Sequence, residues 1–333
     1  MPRFALSPYY HPTTVCFVDD NQSFLNSLAL EMPNHWSYRG FFEPLKALAF
    51  LQQPPSLEPL VDRCFALENR ANAEPVIHFN LGTIEQEINH LARFDRVSVA
   101  VIDYAMPQMN GLELCAAIDD PYIQKAMLTG VADEQVAVAA FNDGLIHRFA
   151  AKHKLGSAQE IVTFVEALQQ IFFSQHTTRL QDNLALDAPR FLLDETFAVE
   201  VHRLMRDRDL IEYYLVDEPP GLLFLNAAGE LFRLLVIDAA QLADQVSFAE
   251  QHRAPARVIE QLRSGQSVGY FWDTPDNYFG SEAFPWNDHL LPASKLTGAQ
   301  TWHLALAEDP PTDIDFDPMQ SSFNAFLRQR ERG

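Results

Sequence analysis

The chain has 333 residues, 47% of them hydrophobic and 21% charged, so it is long enough for two domains and its composition is that of a globular protein. Residues 1–180 carry 12 Lys and Arg against 20 Asp and Glu, and residues 181–333 carry 12 against 25, which gives net charges of −8 and −13. Nucleic-acid binding depends on basic side chains that neutralise phosphates, so this charge argues against direct nucleic-acid binding.

Strand and helix patterns alternate through the first half. Short apolar, β-branched runs predict five strands, and amphipathic patterns between them predict helices. The predicted strands are residues 14–18, 36–41, 98–103, 126–129 and a stretch within 145–151. The first predicted helix begins at residue 21 or 22 and ends before Pro33, with Phe24, Leu25, Leu28 and Met32 on one face. The others cover 43–51, 112–118, 133–141 and 157–173, the last continuing toward residue 180. This (βα)₅ order predicts a doubly wound parallel sheet.

Residues 56–94 interrupt that alternation. They predict a helix over 57–69, a short strand over 75–79 and a second helix over 83–92. We interpret the segment as a helical insertion within the first domain, which we place at residues 1–180, and we expect it to form a contact surface.

Chemically distinctive side chains follow four of the five predicted strands. They are Asp19 and Asp20, Asp103, Thr129 and Lys152. The carboxyl ends of parallel strands meet at one edge of a sheet, where ligands bind, so we expect these groups to lie together. Clustered carboxylates suit Mg²⁺, and a hydroxyl and an ammonium suit the oxygens of a phosphoryl group.

Each of these residues also has a structural interpretation when it is considered alone. Asp19 could cap a helix, Thr129 could be an ordinary strand residue, and Lys152 could be a solvated charge. Asp103 could serve as a nucleophile or a metal ligand, or equally well as a helix-capping or turn-forming residue. The agreement of all four strand ends with the strand order favours a shared site.

The motifs resemble the receiver domain of the response regulators of two-component signalling. The matching segments are Val18-Asp19-Asp20, the run from Asp103 through Pro107 to Asn110-Gly111, Leu128-Thr129-Gly130, and Lys152. The resemblance covers about residues 13–175 apart from the insertion. It implies a phosphorylation-controlled switch that performs no enzymatic reaction beyond its own phosphoryl transfer and slow dephosphorylation.

By this resemblance Asp103 would be the phospho-acceptor, receiving a phosphoryl group from a sensor histidine kinase or a phosphotransfer protein. Asp19, Asp20, Asp103 and the backbone carbonyl of Ala105 would hold Mg²⁺. Thr129 would hydrogen-bond the phosphoryl oxygens.

Two further roles follow from the same resemblance. Lys152 would pair with a phosphoryl oxygen. Phe149, three residues earlier, would be the switch aromatic whose rotamer reports the movement of Thr129, a role that is compatible with core packing.

Three departures from the family pattern bear on this interpretation. His153 replaces the proline that usually follows the lysine, which makes a cis peptide bond there costly. Lys152 lies one residue further from Gly144 than is usual. Ala105 and Val131 are apolar where faster members carry polar side chains, so we expect slow autodephosphorylation.

The second half predicts a linker over residues 181–193 and an α+β output domain with an antiparallel sheet over 194–333. The predicted strands are 210–216, 222–225, 231–237, 268–272 and 301–307. The predicted helices are 194–206, 240–252, 256–264 and 319–330, with an irregular loop over 274–296. Short turns at Pro219-Pro220-Gly221 and at residues 226–229 predict hairpins.

The output domain contains no motif of a known output activity, so its function remains open between two classes. We favour control of protein interaction or dimerisation, because an amphipathic extension of the last receiver helix often pairs with its copy. The alternative is an enzyme or a small-ligand sensor. The layout is similar to that of regulators in autoinducer-linked quorum-sensing systems.

Compartment and partners follow from what the sequence lacks. No apolar run approaches membrane-spanning length, and the N-terminus has no long apolar core, so we expect a cytoplasmic protein that does not bind membranes. The three cysteines, Cys16, Cys64 and Cys115, are widely spaced and odd in number, and Cys16 and Cys115 lie in apolar contexts. This favours buried free thiols over disulfides or a metal site.

Overall fold

The structure is a computed structural model that describes residues 4–54, 56–68, 76–80, 82–130, 134–152, 158–184, 189–271, 284–308, 310 and 316–332. The chain forms two compact units. The parallel unit contains His11–Arg63, His90–Asp182 and Phe323–Gly333, and the antiparallel unit contains Met1–Tyr10, Cys64–Asn89 and Asn183–Ser322. Within the described residues, no helix is both long enough and apolar enough to span a bilayer.

Fifteen strands are formed by the described residues. They are β1 (Tyr9–Tyr10), β2 (Thr14–Val18), β3 (Ser37–Phe41), β4 (Phe65–Glu68), β5 (Val76–Phe79), β6 (Val97–Asp103), β7 (Gln124–Thr129), β8 (Arg148–Ala151), β9 (Leu210–Val216), β10 (Gly221–Asn226), β11 (Leu231–Ile237), β12 (Ser267–Gly269), β13 (Leu290–Pro292), β14 (Ser294–Thr297) and β15 (Thr301–Glu308).

Twelve α-helices accompany them in the same ranges. They are α1 (Gln22–Glu31), α2 (Pro44–Leu51), α3 (Leu60–Arg63), α4 (Gly82–Gln86), α5 (Gly111–Ala117), α6 (Glu134–Asn142), α7 (Ala158–Leu184), α8 (Glu195–Asp207), α9 (Ala239–Gln251), α10 (Ala256–Ser264), α11 (Pro318–Ser321) and α12 (Phe323–Arg332). Short 3₁₀ turns cover Glu87–Asn89, Leu91–Asp95, Arg190–Leu193 and Trp286–His289.

The parallel unit is built on a five-stranded sheet with the order β3-β2-β6-β7-β8, in which every pair is parallel. Successive residues of β6 point to opposite faces, so Ala100 and Ile102 pack with α2, α5 and α6, whereas Val99 and Val101 pack with α1 and α7. Helices on both faces explain why β2 and β6 are almost continuously apolar. The predicted doubly wound fold is confirmed.

The antiparallel unit contains a six-stranded sheet with the order β1-β9-β10-β11-β15-β14 and a separate pair, β12-β13. Short turns join β9 to β10 and β10 to β11, as the two predicted hairpins require. Leu235 and Ile237 of β11 pack with Leu242 of α9 in one hydrophobic cluster. The predicted α+β class with an antiparallel sheet is confirmed.

The insertion differs from its predicted helices. Where a helix was predicted over residues 57–69, the described residues form the short helix α3 and then β4 (Phe65–Glu68), which pairs antiparallel with β5. The helix predicted over 83–92 is α4 followed by two 3₁₀ turns. A short isolated helix is only marginally stable in water. Strands β4 and β5 instead form backbone hydrogen bonds with each other.

The compact units also divide the chain differently from the predicted boundaries of 1–180, 181–193 and 194–333. Residues 9–10 belong to the antiparallel unit because Tyr9 pairs with Tyr214 at the edge of its sheet. Residues 64–89 belong there because α4 packs against β9. The C-terminal helix α12 belongs to the parallel unit, where Phe323 and Phe326 contact Phe94.

The described residues of the predicted linker include helical and buried positions. Helix α7 continues to Leu184, and Phe191 and Leu192 are buried in the antiparallel unit, where the Leu192 carbonyl accepts hydrogen bonds from the backbone of Ala5 and Leu6. The predicted loop over 274–296 contains β13 and part of β14, while residues 274–283 lie outside the described ranges. The three cysteines are buried, as predicted.

Candidate functional site

The strand ends of the parallel sheet converge at one edge. Asp103 is the last residue of β6 and lies opposite Leu128, while Thr129, the last residue of β7, lies opposite Ala151. Asp19 directly follows β2, and Lys152 directly follows β8. The parallel register therefore brings the predicted side chains to the same end of the sheet, where such sheets bind ligands.

Three carboxylates lie close together in the site. Asp19, Asp20 and Asp103 each offer a carboxylate oxygen, and these oxygens lie within 4.8 Å of one another. Asp19 is 1% and Asp103 5% exposed, whereas Asp20 is open to solvent. Carboxylates this close repel one another unless a cation intervenes, and Mg²⁺ takes such hard oxygen ligands together with water. The donor set fits Mg²⁺.

Lys152 bridges two of these acids. Its Nζ lies 2.7 Å from Asp19 Oδ2 and 2.9 Å from Asp103 Oδ1. Burial by itself lowers the pKa of Lys152, but the hydrogen bonds and charges of the two carboxylates outweigh burial and raise it. Burial raises the pKa of Asp103, and the neighbouring Asp19 and Asp20 add to this, against the opposing effect of Lys152.

Backbone contacts fix Asp19 in the site. Its amide donates to Phe41 O at 3.0 Å, and its Oδ1 accepts from the amide of Asn21 at 3.0 Å. The N-cap of α1 is Asn21, whose side chain accepts from the amide of Phe24. Asp19 is therefore not the helix cap that one interpretation of the sequence suggested, and its second oxygen faces Lys152.

The loop after Asp103 is held tightly to the strand end. The amide of Gly111 donates to Tyr104 O at 2.9 Å, and a Cβ on Gly111 would lie 2.4 Å from Asp103 O. Asn110 and Glu113 form a capping box at the start of α5. The Asn-Gly pair thus lets the helix approach the backbone of the acceptor residue, in addition to forming a turn.

Thr129 presents a buried hydroxyl. The residue is fully buried, and its Oγ1 has no hydrogen-bond partner among the described residues. A buried hydroxyl without a partner costs free energy, so it is expected where a ligand supplies the missing bond.

The remaining predicted residues lie near these groups in the chain. Phe149, in β8, is partly buried and contacts Phe141 edge-on with ring centroids 6.1 Å apart. Ala105 is exposed in the loop that follows Asp103. Val131 and His153 lie outside the described ranges.

One neighbour of the site was not predicted. The ring centroid of Phe24 lies 5.3 Å from Lys152 Nζ. The helical pattern of the sequence assigned Phe24 only to the inward face of α1. Its place three residues after a cap that directly follows the acidic pair is the signal that could have identified it.

Comparison with known proteins gives a match that covers nearly the whole chain. No protein-family model and no curated protein sequence matches. The solved response regulator LqsR from Legionella pneumophila is 30% identical, with a TM-score of 0.78 over 98% of this chain and 97% of that chain.

Two solved receiver domains align with about half of the chain. The signal receiver domain of an HD domain-containing protein from Pseudomonas fluorescens Pf-5 is 19% identical, over 49% of this chain and 98% of that chain, with a TM-score of 0.34. A CheY-like receiver domain protein from Methanospirillum hungatei JF-1 is 16% identical, with the same two coverages and a TM-score of 0.33.

The match to LqsR covers both units and is close enough in sequence and structure to assign the family. The parallel unit has the sheet of a receiver domain, and the antiparallel unit takes the place of an output domain. The chain belongs to the response regulators of two-component signal transduction.

Proposed function

We propose that the protein is a phosphorylation-dependent switch in which Asp103 accepts a phosphoryl group from a sensor histidine kinase or a phosphotransfer protein. A carboxylate oxygen of Asp103 forms a bond to phosphorus as the bond to the donor's histidine nitrogen breaks, and that nitrogen keeps the electron pair. The observation that carries the proposal is the cluster at the strand ends, in which Lys152 Nζ lies 2.9 Å from Asp103 Oδ1 beside two further carboxylates.

Asp19, Asp20 and Asp103 would hold Mg²⁺, and Ala105 would add its carbonyl. When bound, Mg²⁺ neutralises the charge that builds up between the acceptor carboxylate and the incoming phosphoryl group. Phosphoryl transfer depends mainly on such positioning and charge stabilisation, so the role of the protein is to hold its acids in this geometry.

Lys152 and Thr129 would bind the transferred group. The ammonium of Lys152 already contacts Asp103 and could follow the new negative charge to a phosphoryl oxygen, because phosphorylation adds close to two charges. The hydroxyl of Thr129, which has no partner among the described residues, would donate to another oxygen. Movement of Thr129 would open space for Phe149 and favour one of two packings.

The proposed output is control of protein interaction or of homodimerisation, without binding to nucleic acid and without an enzymatic activity other than phosphoryl transfer at Asp103. An output domain that binds a small ligand or catalyses a reaction is the alternative. The layout of the chain makes a kinase from an autoinducer-linked system the first partner to test.

The experiment is to measure protein mass and oligomeric state with and without Mg²⁺ and acetyl phosphate. We expect the wild type to gain one phosphoryl group and to change its assembly, and Asp103→Asn to do neither. Asp143→Asn, at an exposed acid of the same unit, is the matched control and should behave as the wild type does. A wild type that gains no phosphoryl group, or an Asp103→Asn variant that gains one, would contradict the proposal.

Slow dephosphorylation is part of the proposal. Ala105 is exposed beside the acceptor and has no polar side-chain atom that could orient an attacking water. We expect the phosphorylated protein to persist for much longer than seconds after the donor is removed, and Ala105→Asn to shorten its lifetime. Decay of the wild-type phosphoprotein within seconds would overturn this point.

A further inference from the structure

We propose that Phe24 is a positioning residue that holds the ammonium of Lys152 beside Asp103. This inference rests on the proposed phosphoryl transfer. The ring centroid lies 5.3 Å from Lys152 Nζ, within the range over which an aromatic face attracts a cation.

Phe24 is part of a network of contacts that begins and ends at Asp19. Asp19 Oδ1 accepts from the amide of Asn21, and Asn21 Oδ1 accepts from the amide of Phe24 at 3.1 Å. The ring of Phe24 lies near the ammonium of Lys152, and Lys152 returns to Asp19 Oδ2 at 2.7 Å. The turn that places Asp19 in the site therefore also sets the position of the ring.

The position of Phe24 in α1 supports a fixed ring. Its amide is bound by the N-cap, and its side chain packs against the hydrophobic cluster on the α1 and α7 face of the sheet. A residue whose amide and ring are both fixed can restrain the position of a flexible lysine. Holding the four-carbon side chain of lysine in one place costs conformational entropy, which the contact with the ring offsets.

The ring has its greatest use when a divalent cation enters the site. Mg²⁺ on the carboxylates would compete with Lys152 for Asp19 and Asp103, because both cations are attracted to the carboxylates of these two residues. An aromatic face binds a cation without offering an oxygen ligand to the metal. Phe24 would keep the displaced ammonium near Asp103, where a phosphoryl oxygen can receive it.

The test compares three variants in the full chain. Phe24→Leu removes the aromatic face and keeps an apolar side chain, Phe24→Tyr keeps the face, and Leu25→Ala removes packing from the same cluster. A partly exposed cation–aromatic contact predicts that Phe24→Leu slows phosphorylation by acetyl phosphate with Mg²⁺ about two- to fivefold. Phe24→Tyr should restore the wild-type rate, and Leu25→Ala should leave it unchanged.

A second measurement reads the contact without phosphorylation. The NMR resonances of the Lys152 ε-methylene group should be shifted by the ring current in the wild type and in Phe24→Tyr, and should return toward ordinary lysine values in Phe24→Leu. Leu25→Ala should keep the shift. This readout reports the position of the lysine, which a general loss of stability would not move selectively.

The outcomes separate the two proposals. If the wild type is phosphorylated and Phe24→Leu reacts at the wild-type rate, or Leu25→Ala slows it equally, the positioning role is overturned. A Lys152 resonance that is the same in the wild type and Phe24→Leu overturns it as well. If the wild type is not phosphorylated, the proposed function fails, and the NMR comparison still decides whether Phe24 holds Lys152.

Discussion

At the scale of single residues, Thr129 lowers the stability of the folded protein at a position where its hydroxyl could bind a ligand. Its hydroxyl is buried at the end of β7 and has no partner among the described residues. Thr13, at the other end of the sheet, is equally buried, but its hydroxyl lies 2.6 Å from Ser98 Oγ and accepts from Gln169 Nε2 at 3.1 Å. The same residue type therefore has opposite energetic roles at the two ends of the sheet.

Thr129→Val should leave the free energy of unfolding unchanged or raise it by about 1 kcal/mol, because it replaces an unpaired buried hydroxyl with a methyl group. Thr13→Val, the matched control, should lower it by about 1–3 kcal/mol, because two buried polar groups lose their partner. Urea unfolding curves give both values.

The same Thr129→Val variant should accept a phosphoryl group on Asp103 but lose the change in assembly that phosphorylation causes. Mass and oligomeric state with acetyl phosphate and Mg²⁺ provide this measurement. A loss of stability in Thr129→Val as large as that in Thr13→Val would show that the hydroxyl of Thr129 already has a hydrogen-bond partner in the folded protein.

The strand-end residues of the site could be predicted from the sequence, because a parallel sheet aligns the carboxyl ends of its strands. Asp19, Asp20, Asp103 and Lys152 each follow or end a recognisable strand and were expected to meet. For Phe24 the sequence shows only its place three residues after the N-cap that follows the acidic pair. Its distance from Lys152 depends on how α1 packs on the sheet.

At the scale of elements, α8 depends on one buried carboxylate. Asp194 is the N-cap of this helix and accepts from the amides of Thr196 and Phe197. It also accepts from the amide of Ala299 and from Trp302 Nε1, each at 2.9 Å. Burial raises the pKa of Asp194, but these hydrogen bonds outweigh it and hold the pKa below its usual value.

Asp194→Asn should lower the free energy of unfolding by about 2–3 kcal/mol, since its amide group cannot accept from all of these N–H donors and the bonds to a charged acceptor are lost. Because the folded pKa of Asp194 is depressed, its contribution is present above the unfolded pKa and is lost as the pH falls through the folded pKa. The difference between wild type and variant should therefore shrink in acid.

Asp238→Asn is the control for this prediction. Asp238 caps α9 and accepts from the amides of Ala240 and Gln241 within its own helix, in a capping box. Asn is about as good an N-cap as Asp, so the change should cost no more than about 0.5 kcal/mol. Equal losses for the two variants in denaturation at pH 7 would show that the bonds from Ala299 and Trp302 add nothing.

Long, strongly patterned elements were predicted well, and short ones were not. The run over 210–237 alternates apolar strands with two turn signals, and the structure has β9, β10 and β11 there. Strand β4 was predicted as helix because Phe65–Glu68 is too short to show a period. Its partner β5 decides its conformation, and that pairing is a tertiary contact that local propensity does not report.

At the scale of the whole molecule, each compact unit is built from more than one segment of the chain. It contributes residues 1–10, 64–89 and 183–322 to the antiparallel unit, and the remainder to the parallel unit. The sequence could not reveal this division, because residues 1–10, 64–89 and 323–333 all contain apolar side chains that could pack in either unit. Only their contacts, such as Tyr9 with Tyr214 and Phe94 with Phe323, decide where they belong.

The C-terminal helix α12 makes both aromatic and hydrogen-bond contacts within the parallel unit. Phe323 and Phe326 contact Phe94 with ring centroids 5.1 and 5.4 Å away. Arg330 donates from Nη1 to Ser37 Oγ at 2.7 Å and from Nη2 to the carbonyl of Tyr38, in the edge strand β3. A segment that follows the last residue of the antiparallel unit thus completes the core of the parallel one.

Phe323→Ala should therefore destabilise the parallel unit by about 3–4 kcal/mol, because it leaves a cavity beside Phe94. With two units a single melting temperature is not a defined quantity, so the measurement is native-state hydrogen exchange followed strand by strand. Amides of β2 and β6 should lose protection, and those of β9 and β10 should lose less.

Met319→Ala, four residues earlier on an exposed side chain of α11, is the control and should change protection in neither unit. Loss of protection in β9 and β10, with β2 and β6 unchanged, would place α12 energetically in the antiparallel unit and contradict the division of the chain. Protection lost in β2 and β6 would mean that cutting the chain at the linker removes part of the receiver core. A truncated chain of residues 1–180 would then lose protection in the same strands, and a peptide of residues 323–333 added to it should restore part of that protection.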